Sequence, residues 1–236
     1  MFVLGIEAAT PVAAVAVTTE EKILAERMVN NRRTHSVNLL PMVRDVLTDA
    51  GINKVQLTGI AVSSGPGSFT GLRIGMSTAR TLAQVLRLPL ADVPTLDALA
   101  YPLSGHAGLV CPILNARKNE VYAALYRSTG TCQQCLVPAR ATGIPELLEL
   151  LKGYREQVTF IGDGVAEYAG ILKAQMGERA RLAPACASFP RGAAVAELGL
   201  QQLQTGATRD PLTLLPHYVR ESEAEIKWRE RCRNNG

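Results

Sequence analysis

Histidine and aromatic residues are scarce in this sequence. Its 236 residues include three histidines, His35, His106 and His217, and aromatic residues make up 5% of the chain. No two histidines stand four positions apart, so the chain lacks the helical histidine pair with which many enzymes hold a catalytic metal ion. We therefore predict no metal-binding residues of that kind.

Cysteines are few and odd in number. The chain has five, and its first residues, "MFVLGIEAAT", lack the basic start of a secretion signal, so a disulfide framework is not expected. Cys132 and Cys135 form one CxxC pair, but zinc takes four ligands, and no second pair or neighbouring histidine supplies the other two. These features favour a cytoplasmic protein without a structural metal.

Long apolar runs and strong charge are also missing. No apolar run reaches the roughly 18 residues of a membrane span, so we expect no membrane anchor. The net charge of +4 is mild, and the densest basic run, "KWRERCR", lies at 227–233. We interpret this run as a solvated end of the chain, and contact with a nucleic-acid backbone is the alternative.

The chain does contain a glycine-rich stretch, "SSGPGSFTGLRIGMSTAR", at 63–80. It follows a short apolar strand predicted at 57–65 and precedes apolar residues at helical spacing. Ser68 or Thr70 can cap that helix by accepting a hydrogen bond from a backbone N–H. Two functions remain open: a tight turn, or a loop whose backbone N–H groups bind an anion or nucleotide. The residues predicted for the second function are Gly65, Gly67, Ser68 and Thr70.

A strand pattern occurs twice. Three predicted strands begin at "FVLGIEAA", and three more begin at "LVCPILNARKNEVYAALY". Aligning the two sets places Glu7 on Asn115, and it indicates two similar α/β halves although few residues are identical. We predict a first domain at 1–103 and a second domain at 104–236.

Two predicted helices, 36–50 and 71–86, carry more apolar surface than one core requires. The second presents a row of small residues, each four positions after the last, which permits close approach of another helix. Packing against the chain's own sheet and packing against a partner protein both remain open. His35 is interpreted as a polar residue that precedes the helix cap Ser36. The residues predicted for a partner interface are Leu39, Leu40, Val43 and Leu47 on the first helix, and Gly71, Leu72, Gly75, Met76, Ala79 and Ala83 on the second.

Four stretches together resemble the TsaB family, which is also called YeaZ. They are "GPGSFTGLRIG" at 65–75, "LNARKNEVYAALY" at 114–126, "FIGDG" at 160–164 and "PHYVRESEAE" at 216–225. The resemblance extends over essentially the whole chain. It implies the duplicated actin-like α/β fold (ASKHA, ribonuclease-H-like) with two lobes, the second of which is reduced.

The resemblance also implies a function and partners. Members of this family support the transferase TsaD, which attaches a threonylcarbamoyl group to the adenosine beside the anticodon of tRNAs that read codons starting with A. The implied partners are TsaD in a heterodimer, a TsaE-type ATPase in the larger complex, a second copy of the chain when it is alone, and tRNA indirectly. No cofactor is implied for the chain itself, and ATP or ADP at the interface of the complex is left open.

The residues argue against catalysis by the chain alone. ATP-using relatives of this fold hold magnesium with a carboxylate in each half, but this chain offers Glu7 and the neutral Asn115, where the family usually has aspartate. Ser63, Ser64 and Ser68 have no recognisable histidine and carboxylate partners. We therefore predict an accessory subunit without catalytic residues. An ATP-dependent kinase or ATPase is the alternative, and a peptidase is a further one.

Overall fold

The computed structural model describes residues 1–31, 34–117, 119–129 and 132–220. The side chains of Arg117 and Cys132, the basic run at 227–233 and the end of the motif at 216–225 lie outside the described residues.

The first sheet has five strands in the order β3-β2-β1-β4-β5. These strands are β1 (Val3–Glu7), β2 (Ala13–Thr18), β3 (Ile23–Val29), β4 (Gly59–Gly65) and β5 (Leu90–Pro94). The helices in this part of the chain are α1 (His35–Asp49), α2 (Phe69–Leu86) and α3 (Thr95–Ala100). We call the first sheet with α1 and α2 the first lobe.

The second sheet also has five strands, in the order β10-β9-β6-β7-β8. They are β6 (Leu109–Arg117), β7 (Glu120–Thr129), β8 (Cys132–Gly143), β9 (Val158–Ile161) and β10 (Ala180–Leu182). The helices here are α4 (Ile144–Leu151), α5 (Gly164–Met176) and α6 (Gly192–Gln204). We call the second sheet with α4 and α5 the second lobe.

The two sheets have the same topology. In each, the first strand pairs antiparallel with the second and parallel with the fourth: β1 with β2 and β4, and β6 with β7 and β9. The duplicated α/β fold expected from the repeated strand pattern is therefore confirmed. The second lobe is the reduced one, because α4 and α5 have 8 and 13 residues where α1 and α2 have 15 and 18.

Strands β1 and β2 are buried along their whole length because helices cover both faces of the first sheet. Side chains alternate between the faces of a strand. Leu4 and Ile6 accordingly pack in one cluster with residues of α1 and α2, while Val3 packs in another with residues of α6. Among the described residues, no helix combines the length and the apolar character that a membrane span needs.

Two helices pack against the sheet of the other half. Helix α3 follows β5, yet Leu96 and Leu99 belong to a cluster with residues of β6 and β7. Helix α6 follows β10, yet it contacts β1, β2, β4 and β5. The predicted boundary near residue 104 falls between the two sheets, but the predicted second domain, 104–236, is not confined to the second sheet.

The row of small residues on α2 faces the chain's own sheet. Gly71, Gly75, Ala79 and Ala83 are all buried, and a Cβ atom added at Gly75 would lie 2.8 Å from the Cβ of Ala8. The prediction that this row faces a partner is therefore wrong for these four residues. Four more residues that were predicted for the partner interface are also buried in the core, so the prediction is wrong for them too. They are Leu39, Val43, Leu72 and Met76.

A different set of apolar residues remains on the surface of α1 and α2. Leu40 is 57% exposed and Val37 is 56% exposed, while Leu47 and Ile74 are half-buried. Leu40 and Leu47 were predicted for the partner interface, and the structure leaves them at least partly exposed, whereas Met42 is buried beneath α1.

We expect Gly75→Leu to destabilise the folded chain by roughly 1–3 kcal/mol, because the new side chain overlaps Ala8 in a packed core. Urea unfolding followed by circular dichroism measures this. Gly170→Leu is the matched control, since Gly170 lies on α5 and a Cβ there meets nothing within 4 Å. Unchanged stability of Gly75→Leu, with loss of binding to a partner, would contradict the packing described here.

Candidate functional site

A cleft of about 550 Å³ lies between the two lobes. Its first-lobe wall combines the turn between β1 and β2 with the loop that leads into α2. Its second-lobe wall comes from the end of β6 and the start of α5. The lining residues are Ala9, Thr10, Pro11, His35, Gly67, Ser68, Phe69, Thr70, Leu114, Asn115, Ala116, Tyr122, Asp163 and Arg220.

The glycine-rich loop packs directly against the turn between β1 and β2. A Cβ atom at Gly67 would overlap the carbonyl oxygen of Ala9, and one at Gly71 would overlap that of Ala8. The Ser68 N–H donates to the Ala9 carbonyl at 2.7 Å. The glycines are therefore needed for close contact between two parts of the first lobe.

Ser68 is the N-cap of α2; it is one of the two residues, Ser68 and Thr70, that were predicted as possible caps. Its Oγ accepts a hydrogen bond from the Gly71 N–H at 3.2 Å. Together with the bond from Ser68 to Ala9, this engages two of the N–H groups that an anion would otherwise bind at the helix start. Gly67, Ser68 and Thr70 line the cleft, so anion or nucleotide binding by this loop stays a prediction.

Gly65 is absent from the residues that line the cleft. A Cβ atom there would overlap the carbonyl oxygen of His217, and its φ of +117° favours glycine. The His217 N–H donates to the Ser64 carbonyl at 2.7 Å. This glycine therefore allows a later segment of the chain to cross the end of β4.

His35 is a buried residue of the cleft wall, contrary to its interpretation as a polar residue before a cap at Ser36. It is the first residue of α1, and Thr34 is the N-cap. The ring Nε2 lies 2.9 Å from the Thr10 carbonyl oxygen, which can only accept, so we assign the proton to Nε2. Among the described residues, no partner bonds the buried Nδ1.

Glu7 lies beneath the turn and is fully buried. One carboxylate oxygen accepts a hydrogen bond from the Ala9 N–H at 2.6 Å, and the other has no partner among the described residues. Burial raises the pKa of Glu7 to about 7, although the Ala9 and Ser63 hydrogen bonds oppose the shift. Glu7 is not among the residues that line the cleft, so it is poorly placed to hold a metal there.

The second-lobe wall contains a carboxylate that sequence reasoning missed. The Asn115 N–H donates to Asp163 at 2.9 Å, and the Asn115 side-chain amide donates to Glu167. Burial raises the pKa of Asp163. The signal was present in "FIGDG", because Asp163 follows β9, which runs parallel to β6 and brings its end beside Asn115.

The three serines considered as nucleophiles have structural roles. The Oγ of Ser63 accepts a hydrogen bond from the Ala8 N–H at 3.3 Å, Ser64 holds the later segment through its carbonyl, and Ser68 caps α2. Within the described part of the chain, none of these hydroxyls is hydrogen-bonded to a histidine. No group of three or more potential metal-binding side chains occurs among the residues searched, which are the described ones.

Comparisons with known proteins show which family the chain is similar to. The model of the family described as "TsaD: tRNA N6-adenosine threonylcarbamoyltransferase" matches residues 22–228. A tRNA threonylcarbamoyladenosine biosynthesis protein TsaB from Bacillus subtilis is 32% identical over 98% of this chain and 99% of that protein. The TsaB protein of Escherichia coli is 36% identical over 54% of this chain and 55% of that protein.

Solved structures show the same fold. A Pseudomonas aeruginosa protein described as similar to peptidase YEAZ has a TM-score of 0.80 and 26% identity, covering 93% of this chain and 99% of its own. The activator of 2-hydroxyisocaproyl-CoA dehydratase from Clostridium difficile, solved with bound ADPNP, has a TM-score of 0.51 and 12% identity. It covers 88% of this chain and 97% of its own. The second likeness shows the actin-like fold alone.

We expect Glu7→Gln to reduce the pH dependence of stability. The folded chain raises the Glu7 pKa from 4.5 to about 7, so it binds this proton more tightly than the unfolded chain. Stability contributed by the protonated group is complete below pH 4.5 and falls as the pH rises to 7. The total loss is about 3 kcal/mol, since each pKa unit corresponds to about 1.4 kcal/mol.

Urea unfolding at a series of pH values measures the difference between the wild type and Glu7→Gln. The variant gains stability relative to the wild type as the pH rises, and exposed Glu21→Gln serves as the control. A difference that does not change with pH would show that Glu7 is not buried as described.

Proposed function

Because the chain belongs to the TsaB family, we propose that it is the accessory subunit that binds and supports TsaD in making threonylcarbamoyladenosine in tRNA. The main support is the match to the Bacillus subtilis TsaB protein along almost the full length of both chains. The modified adenosine lies beside the anticodon of tRNAs that read codons starting with A, as the family resemblance implies. A TsaE-type ATPase belongs to the larger complex in this proposal, and tRNA is contacted indirectly.

The proposed subunit does not itself catalyse the transfer. The glycine-rich loop bonds to its own lobe, and Glu7 is buried beneath the turn instead of facing the cleft. The matching position in the second lobe is the neutral Asn115. Among the described residues, these features leave the cleft without the pair of facing carboxylates that would hold magnesium at a nucleotide.

We place the partner surface on the outer side of α1 and α2. The two helices contact each other and cover one face of the first sheet, and their inner sides form its core. Val37 and Leu40 are exposed apolar residues on α1, with Leu47 and Ile74 half-buried. Exposed apolar residues on adjacent helices suit packing by helices of another protein, which is TsaD in the complex and a second copy in isolation.

A nucleotide in the cleft is the second candidate. The cleft volume of about 550 Å³ and the carboxylate of Asp163 in its wall favour this function. In this proposal ATP or ADP lies at the interface of the complex, and TsaD supplies further groups that bind the nucleotide. The chain therefore binds nucleotide weakly, or not at all, when it is alone.

We expect Leu40→Asp to weaken the complex with TsaD by tenfold or more, about 1.4 kcal/mol, because it buries an unpaired carboxylate in an apolar interface. The measurement is calorimetric titration of purified TsaD, with tRNA modification by the reconstituted system as a second readout. Ile171→Asp is the matched control, since Ile171 is a 50% exposed residue on α5 of the second lobe.

Equal loss of affinity in both variants would show a general effect of the added charge and would contradict an interface on α1 and α2. Loss of affinity in Ile171→Asp but not in Leu40→Asp would move the partner surface to the second lobe. Failure of the wild-type chain to bind TsaD at all would overturn the proposed function itself.

We expect the purified chain with Mg²⁺ and ATP to release no phosphate above the background rate, since the described residues that line its cleft include no second carboxylate opposite Asp163. A coupled phosphate-release assay checks this. Measurable turnover that disappears in Asp163→Asn would show that the cleft is an active site and would favour the ATPase alternative.

A further inference from the structure

The segment at 208–220 leaves α6 and runs back across the molecule; we call it the strap. It begins at the edge of the first sheet, where the Arg209 N–H donates to the Leu90 carbonyl at 2.7 Å. The Arg209 side chain forms an ion pair with Asp92 of the same strand. The strap therefore starts on the first lobe.

The middle of the strap is fixed to α2. Arg80 donates to two strap carbonyls, with the Leu212 oxygen at 2.7 Å, and Leu214 is buried in the core of the first lobe. Further along, the ring of Tyr218 stacks on Phe69 with centroids 4.3 Å apart and planes 14° apart. Since strap residues 211–212 contact Arg80 and the later Tyr218 contacts Phe69 at the start of α2, the strap runs antiparallel to this helix.

Arg73 adds a third contact between α2 and the strap. Its Nε donates to the Tyr218 hydroxyl at 2.9 Å, and its guanidinium carbon lies 5.8 Å from the Tyr218 ring centroid. A guanidinium near an aromatic ring stabilises that ring's position. The first turn of α2, which forms part of the cleft wall, is thus held by Tyr218.

The end of the strap contacts the second lobe. Val219 packs against the cluster that contains residues of β6 and β7. The Arg220 guanidinium lies 3.1 Å from the Glu120 carboxylate and 3.3 Å from the Ala116 carbonyl oxygen, which bracket the turn between β6 and β7. Arg220 also lines the cleft.

We propose that the strap is a latch between the lobes. It joins the first turn of α2 to the turn between β6 and β7, and so it sets the separation of the two cleft walls. Phe69, on which the strap residue Tyr218 stacks, lines that cleft, and so does Arg220 of the strap itself.

The two ends of the latch differ in strength. The first-lobe end combines a buried leucine, an aromatic stack and several hydrogen bonds, whereas the second-lobe end has the contact of half-buried Val219, one hydrogen bond and a partly exposed ion pair. Exposed ion pairs contribute little to stability and are weakened by salt. The end at Arg220 is therefore the one that opens first, which loosens the contacts of the strap with the first turn of α2.

Hydrogen–deuterium exchange tests this proposal, since it reports local opening segment by segment. In Arg220→Glu, we expect several-fold faster exchange in the first turn of α2 (69–73), in 213–219 and in the turn near 116–122. Combining Arg220→Glu with Glu120→Arg should restore slow exchange. Arg127→Glu is the control, because Arg127 and Glu156 form a partly exposed ion pair within the second lobe, away from the strap.

A second set of measurements distinguishes a strap that couples the two lobes from a strap whose end contact has only local effects. Tyr218→Ala, with Arg220 intact, should also speed exchange in 69–73. Raising NaCl to about 1 M should speed it in the wild type but not in Arg220→Ala, because salt screens the ion pair. Faster exchange confined to 217–220 in Arg220→Glu would overturn the latch, as would unchanged exchange or failure of the charge-swapped pair to restore it.

Discussion

The close packing of the glycine-rich loop on the turn between β1 and β2 determines how the rest of the first lobe is arranged. Backbone carbonyls of Ala8 and Ala9 occupy the space where side chains at Gly71 and Gly67 would lie. Helix α2 can therefore approach the end of β1 closely only because these positions lack a Cβ atom. The orientation of α2, the burial of its small residues and the position of one cleft wall all depend on this contact.

The same contact limits how many backbone N–H groups of the glycine-rich loop are left to bind a ligand. Phosphate loops leave their backbone N–H groups directed at the ligand. Here the Ser68 N–H bonds to Ala9, and the Gly71 N–H bonds to the Ser68 side chain. Two N–H groups at the start of α2 are therefore engaged within the first lobe, and binding of an anion or nucleotide by this loop stays a prediction.

Much of the fold could be predicted from the sequence, since strand and helix periodicities are local properties. The duplication was predicted from the repeated strand pattern. The predicted helices, 36–50 and 71–86, agree with α1 and α2 to within two residues at each end. The side of α2 that faces inward could not be predicted, because a row of small residues suits close packing on a sheet as well as on a helix. Only the position of Ala8 beneath Gly75 decides between them.

The candidate site was predicted less well for a related reason. Glu7 and Asn115 were matched as equivalent positions from the strand pattern alone, and the environment of each depends on residues far away in the sequence. Asp163 reaches Asn115 only because β9 lies beside β6, and His35 reaches Thr10 only because α1 begins beside the turn. Such pairings depend on tertiary contacts, which a single sequence does not show without an alignment.

The late position of α6 in the sequence matters while the protein is being synthesised. It covers the back of the first sheet, including Val3, Ala61 and Ala91, yet it lies at 192–204. While the ribosome extends the chain, that apolar face stays uncovered until α6 has emerged. Nascent chains with exposed strands of this kind are prone to aggregation. The apolar face of the first sheet is therefore open to aggregation until α6 has been synthesised.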